Sequence, residues 1–163
     1  MPASPPADVA RSIFDALAKK DLDSALSLTA EDSVDDFVAI GPVRGRTSIR
    51  RFFEELLTAF PDFEITVERI VGDDTAAVVQ WHAGGEFTGG PFQGLEPTGR
   101  HVEIRGVDVM EISDGMVRHN TIYYDGASFA RQVGMLPSAG SGADRALQSA
   151  FNQVTKLRRR WRG

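Results

Sequence analysis

Residues 101–113, HVEIRGVDVMEIS, alternate between apolar and more polar side chains. Alternation with a period of two predicts a β-strand with one buried face. That face is apolar around a single carboxylate, Asp108, and its other members are Val102, Ile104, Gly106, Met110 and Ile112. Burial disfavours the charged form of a carboxylate and raises its pKa. Asp108 is therefore a candidate functional residue.

The rest of the chain places this strand in an α+β fold. Helical spacing predicts a helix after Asp8, which is its expected N-cap, a short helix over 21–32 and a third over 47–60, capped by Thr47 or Ser48. Residues 33–40 are expected to form a short strand or extended arm, and 41–46 a loop. The period then changes to two, which predicts strands over 62–72, 75–87, 101–113 and 116–125 and a closing helix over 126–137. Helices followed by an antiparallel meander are typical of an α+β domain.

Composition narrows the class of protein. The 163 residues contain no cysteine, so a disulfide framework and a thiolate metal site are excluded. No apolar run has the roughly 20 residues that a membrane span needs, and the first residues lack the pattern of a secretory signal. A cytoplasmic protein is therefore expected. The net charge of −5 argues against a nucleic-acid-binding domain.

The C-terminal segment differs from the body. Residues 143–163 carry a net charge of +5, so the preceding residues carry −10. A small-residue linker precedes an amphipathic helix with the stripe Leu147, Phe151, Val154, Leu157 and Trp161 and a basic end that includes Arg162. We expect this stripe to pack on the body or on a second subunit. Contact with an anionic membrane surface is the less favoured alternative.

Three motifs together resemble one family. PTGR at 97–100, the SDG turn at 113–115 and YYDGASFARQVGMLP at 123–137 are similar to the SnoaL-like polyketide cyclases of the nuclear-transport-factor-two-like superfamily. The resemblance covers residues 8–137, so we expect a pocket domain over 1–137 and a linker with the basic helix over 138–163. It implies a cone-shaped, strongly curved, mostly antiparallel sheet with three N-terminal helices enclosing an apolar pocket. It also implies a homodimer, a hydrophobic small-molecule ligand and no cofactor.

The resemblance does not carry the cyclase mechanism over intact. The cyclases' acid/base aspartate matches Ile122, and their partner histidine matches Asp108. The positions that hold the catalytic groups of the related epoxide hydrolases match Trp81, Ala83 and Ile122, which argues against epoxide hydrolysis.

The related ketosteroid isomerases match better. Their general base follows the second helix in a V-x-D arrangement that matches Asp36, and their protonated oxyanion-hole aspartate matches Asp108. Their helix tyrosine matches Ile13, so that hydroxyl is missing. The resemblance therefore implies a cyclase or isomerase in which Asp36 takes a proton next to a carbonyl and neutral Asp108 donates a hydrogen bond.

The family register also predicts which other residues face the ligand. These substrate-binding candidates are Tyr124, Asn120, Ile122, Trp81, Phe87, Phe14, Phe53 and Met110. His82, His101 and His119 are expected outside the pocket, and no metal site is expected. Asp125 is expected to cap the closing helix.

Each functional assignment has a simpler alternative. Asp108 could bond a backbone amide or pair with Arg105 or Arg44, and Asp36 could be a solvated loop carboxylate. The whole protein could be a non-catalytic binding protein for an apolar small molecule in the same pocket, which the loss of the cyclase aspartate at Ile122 favours. It could also be an interaction protein that works through its basic C-terminal helix.

Overall fold

The computed structural model describes residues 4–161, so Arg162 of the predicted basic end lies outside the described residues. The helices are α1 Pro6–Ala18, α2 Leu22–Ser27, α3 Arg46–Ala59, α4 Gly126–Val133 and α5 Gly142–Arg160. The strands are β1 Thr29–Phe37, β2 Gly41–Arg44, β3 Glu64–Gly72, β4 Ala76–Glu86, β5 His101–Ser113 and β6 Met116–Tyr124.

The six strands form one mixed sheet in the order β2-β1-β6-β5-β4-β3. The strands β3 to β6 form the predicted antiparallel meander, whereas β1 pairs with β6 in parallel. This confirms the α+β class and the β5 boundaries. The sheet is open, because β2 and β3 are its two edges. Its predicted strong curvature and conical shape stay predictions.

The sheet has one face covered by the N-terminal helices. Helix α1 buries Val9, Ile13 and Phe14 and packs on β3 and β4. These residues recur at three- and four-residue intervals, so they form one stripe of the helix. The same core includes buried residues of β4 and β5, such as Val79 and Met110. Beneath α3, this layer leaves a cavity instead of a filled core.

Several predicted boundaries were wrong for local reasons. Helix α1 begins at Pro6, because proline suits the first helical position, and Asp8 lies inside its first turn instead of capping it. The second helix ends at Ser27, because the chain enters β1 at Thr29. Residues 41–44 form the edge strand β2, not a loop.

Helix α4 has a side-chain cap, whereas helix α3 has none. Helix α3 begins after Gly45 and has no side-chain cap, so neither Thr47 nor Ser48 caps it. Asp125 does cap α4 as predicted, since its side chain accepts a hydrogen bond from the Ser128 backbone N–H. Gly134 then ends α4 in the left-handed conformation that glycine tolerates.

Helix α5 is formed, but its apolar stripe is exposed. The side chains of the stripe are between 47% and 88% exposed, with Trp161 highest. Asp144 is the buried residue of this helix, and it accepts hydrogen bonds from the Gly140 N–H and the Gln148 amide. Within residues 4–161, no packing surface covers the stripe, so its expected docking stays a prediction. No helix of the described residues is long and apolar enough to cross a bilayer.

We expect removal of residues 138–163 to leave the domain folded. Because the stripe of α5 is not packed on the body, the free energy of unfolding should change by less than about 1 kcal/mol. Urea titration followed by circular dichroism measures this change. Removal of residues 126–163 is the matched control, since it also deletes buried Ala130 and Val133 and should cost about 2 kcal/mol or more. Equal losses in both truncations would contradict the expectation.

Candidate functional site

An apolar cavity lies between the sheet and the helices α1 and α3. The volume open to the centre of a water molecule is about 120 Å³. The whole empty space, including the open mouth, is about 850 Å³. Much of its wall is aromatic and includes Phe14, Phe37, Phe52, Phe53, Phe60 and Phe63. Walls of this kind suit a flat, hydrophobic small molecule.

The aromatic wall is a packed cluster. The rings of Phe37 and Phe52 lie 4.4 Å apart between their centroids, and Phe92 contacts both Phe52 and Phe60 edge-on. Edge and offset contacts of this kind stabilise aromatic groups beyond their buried area. The wall is therefore preorganised.

Asp108 lies in this cavity and is held by two donors. The Trp81 indole Nε1–H donates to Asp108 Oδ1 at 2.8 Å, and the Asn120 Nδ2–H donates to Asp108 Oδ2 at 2.8 Å. Asp108 is only 6% exposed. Neither Arg105 nor Arg44 pairs with it among the contacts of the described residues. Its pKa is raised to about 6 by burial, and the hydrogen bonds from Asn120 and Trp81 limit the rise.

Gly106 makes the contact between Trp81 and Asp108 sterically feasible. Gly106 and Trp81 are directly opposite each other on β5 and β4, and the indole ring occupies the space where a side chain of residue 106 would begin. A Cβ atom there would overlap the ring. The glycine within the strand therefore has a packing reason.

A second carboxyl, Asp35, shares the cavity. It lies on β1, directly beside Asn120 in the parallel β1–β6 register, and is 6% exposed. Burial and, to a smaller extent, the nearby charge of Asp108 together raise its pKa to about 8. At neutral pH, Asp35 is therefore mostly protonated and Asp108 mostly ionised.

The mouth of the cavity carries two further polar groups. Burial raises the pKa of the Tyr124 phenol, which keeps it a hydrogen-bond donor, and a hydrogen bond with the Gln93 side chain limits that rise. Gln93 lies on the glycine-rich connection between β4 and β5, with a left-handed φ of 51°. Its backbone N–H donates to Glu55 Oε1 on α3 at 2.8 Å. This contact ties the connection to α3 at the cavity mouth.

The structure brings most of the predicted residues together. The predicted residues that line the cavity are Asp108, Asn120, Ile122, Tyr124, Trp81, Phe14 and Phe53. Phe87 and Met110 do not line it. Phe87 stacks behind Phe60 with ring centroids 5.0 Å apart, and Met110 belongs to the core packed under the helices.

The structure does not bring Asp36 into the cavity. Its neighbour Asp35 lines the cavity instead, because alternate residues of a strand point to opposite faces. Phe37 also lines the cavity and lies two residues after Asp35, on the same face of β1. Its apolar side chain was the feature of the sequence that indicated which face is buried. The match to a V-x-D arrangement selected the one of two adjacent aspartates that lies outside the cavity. Asp108 has the raised pKa that the sequence predicts, but its two donors limit the rise to about 6, which favours the carboxylate at neutral pH.

The histidines play no part in the cavity. His82 and His101 lie beside Glu68 and Glu86 outside it, at 3.3 and 3.2 Å. The described residues contain no group of three side chains that could hold a metal ion.

Comparison with known proteins identifies similar chains. The family model of the SnoaL-like polyketide cyclases matches residues 7–133. No curated protein matches this chain.

Solved structures share the fold at low identity. AclR of Streptomyces galilaeus is 19% identical with a TM-score of 0.71, and the match covers 96% of each chain. IdmH of Streptomyces antibioticus is 24% identical with a TM-score of 0.67, covering 80% of this chain and 99% of its own. TerC, co-crystallised with polyporic acid, is 14% identical with a TM-score of 0.64, covering 80% and 98%. Only 4% of this chain lies outside the match to AclR, so that match must include part of α5.

We expect Gly106→Ala to destabilise the fold by about 1–3 kcal/mol, because the added methyl group must displace the Trp81 ring. The displacement should also break the bond from Trp81 to Asp108. Urea unfolding measures the loss, and Trp81 fluorescence reports the ring. Gly142→Ala is the matched control, since a Cβ there meets open space. Equal stability of the two variants would contradict this account.

We expect the two buried carboxyls to lower stability as the pH rises. Both carboxyls have a higher pKa in the folded chain than the ordinary value of 3.8. Their stabilising contribution is therefore complete below about pH 4. It is lost as the pH rises through about 6 for Asp108 and about 8 for Asp35. Asp35→Asn should therefore be more stable than the wild type by at least about 1 kcal/mol at pH 8, and the difference should shrink towards pH 5.

Urea titrations at pH 5, 6, 7 and 8 measure that difference. Asp36→Asn is the matched control, because this adjacent carboxyl lies outside the cavity. A stability difference for Asp35→Asn that does not change with pH would show that the carboxyl is not proton-linked to folding.

Proposed function

Because this chain belongs to the SnoaL-like polyketide cyclase family, we propose that it is a cofactor-independent cyclase or isomerase. The proposed reaction moves a proton next to the carbonyl of a hydrophobic, polyketide- or steroid-like small molecule. Family membership by itself does not fix a reaction, since one fold hosts many activities. The proposal therefore rests on the chemistry of the cavity.

One observation carries the proposal: two carboxyls share an apolar cavity in unlike environments. Asp108 accepts hydrogen bonds on both oxygens, which stabilises its charged form. Asp35 has no hydrogen bond of that kind among the described residues, and its pKa is raised by burial. A pair of carboxyls with separated pKa values divides the roles of base and acid.

In the proposed reaction, the Asp108 carboxylate takes a proton from the carbon next to the carbonyl. The charge that develops on the carbonyl oxygen is stabilised by a hydrogen bond from the protonated Asp35 carboxyl. The resulting enol or enolate then either regains the proton at another carbon, which is isomerisation, or attacks a second carbonyl, which is ring closure. The aromatic wall holds the apolar body of the molecule and excludes water. These roles are the reverse of those that the sequence predicts for Asp108 and its partner.

A non-catalytic binding protein is the second candidate. Ile122 occupies the position that matches the acid/base aspartate of the cyclases, so the family's own proton-transfer group is missing. The cavity would still hold an apolar ligand, and TerC shows that a protein with this fold was co-crystallised with a small molecule. In this case Asp108 and Asp35 would orient the ligand.

Deuterium exchange distinguishes the two candidates. We expect the protein to accelerate exchange of the acidic protons of 2-tetralone in D2O at neutral pD, measured by proton NMR. Asp108→Asn should lower the accelerated rate by about 100-fold or more, because an amide cannot take the proton. Asp36→Asn, the adjacent control outside the cavity, should retain the rate. Binding of 2-tetralone without acceleration would favour the binding protein and sink the catalytic proposal.

A further inference from the structure

The amide of Asn120 has one end bonded and the other end unexplained. Its Nδ2–H donates to Asp108, whereas its Oδ1 atom is buried and has no hydrogen-bond donor within the described residues. Asn120 is itself 5% exposed. A buried acceptor without a donor is costly, by about 1–3 kcal/mol, so native proteins rarely leave one unpaired.

The register of the sheet places one candidate donor beside this atom. Asp35 and Asn120 are direct partners on the parallel strands β1 and β6, and both face the cavity. Neighbouring strands are about 4.8 Å apart, so the ends of the two side chains are within reach of each other. A carboxylate would only add a second acceptor there, whereas a protonated carboxyl supplies the missing O–H donor.

We propose that Asn120 is a positioning residue that links the two carboxyls in the ligand-free protein: Asp35 O–H donates to Asn120 Oδ1, and Asn120 Nδ2–H donates to Asp108. This chain of hydrogen bonds holds the single proton of the pair on Asp35. When a ketone binds, its carbonyl oxygen replaces Asn120 Oδ1 as the acceptor of the Asp35 proton. The inference rests on the proposed function and adds the hydrogen bonds that decide which carboxyl is the acid and which is the base.

The hydrogen bonds from Asp35 through Asn120 to Asp108 could run in either direction, and Trp81 removes this symmetry. If the amide of Asn120 flipped, it could equally donate to an ionised Asp35 and accept from a protonated Asp108. The Trp81 indole is a donor only. Its bond of 2.8 Å to Asp108 Oδ1 stabilises the ionised form of Asp108, whichever way the Asn120 amide is turned. The indole therefore selects the arrangement in which Asp108 is the base.

No other charged group competes for this role. The third titratable residue of the cavity wall is Tyr124, whose pKa is raised by burial and which stays neutral. Within the described residues, α1, α3, β3, β4, α4 and the β4–β5 connection contribute no lysine, arginine, histidine or acidic side chain to the wall. The position of the proton is thus set by Asn120 and Trp81.

A titration without any substrate tests the inference. The side-chain carboxyl carbons of Asp35 and Asp108 are followed by carbon-13 NMR from pH 4 to 10 in the full chain and its variants. In the wild type, Asp108 should titrate near 6 and Asp35 near 8. In Asn120→Leu, which is close in shape, the Asp108 value should rise and the Asp35 value should fall, so that the gap shrinks to less than about one pH unit.

Two further variants complete the test. Trp81→Phe keeps the aromatic ring but removes the donor, so each carboxyl signal should report both titration steps, as expected for a shared proton. Ile122→Val, in the same cavity wall, should leave both values in place. The inference is overturned if Asp108 titrates above Asp35 in the wild type. It is also overturned if Asn120→Leu leaves the gap unchanged or raises both values together. Because no ketone is present, these outcomes are independent of the exchange assay.

Discussion

A carboxylate in an apolar cavity is stable only if its oxygens are bonded, and the site depends on that constraint at Asp108. Trp81 and Asn120 supply the two bonds, and the missing side chain of Gly106 leaves room for the indole. Burial alone would make Asp108 a neutral acid, as an unsolvated carboxyl prefers to be. With the two donors in place, burial instead produces a base of moderate strength. Asp35, buried without them, becomes the neutral partner.

The same constraint bears on Ile122, the position at which the resemblance to the cyclases implies an acid/base aspartate. Ile122 lies opposite Asp108 on β6, and its side chain is apolar. A third carboxyl at that point would add a further charge to a cavity that has no cation in its wall among the described residues. The proposed pair on β1 and β5 avoids this, because it holds one negative charge at neutral pH and bonds it fully.

Strand periodicity predicted much of the fold and part of the site. The alternation in 101–113 placed Asp108 on the buried face, and the structure keeps those strand boundaries. Asp35 was missed because a family motif outweighed the parity with Phe37. The partners of Asp108 were missed for another reason: Trp81 and Asn120 reach it across β4 and β6, and the sequence does not contain that register. Likewise, hydrophobic spacing predicted α5 but not what covers its stripe.

The order of the strands has a consequence for how the protein is made. Asp35 and Asp108 lie on strands that are distant in sequence, and within the described residues these strands are joined in the sheet through β6, which follows both of them in the chain. Contacts between distant segments form slowly, because closing a long loop costs entropy before any pairing offsets it. During synthesis, helices α1 to α3 and strands β1 to β5 leave the ribosome before β6 exists. The nascent chain therefore carries both aspartates without the cavity that they share until the β5–β6 hairpin closes.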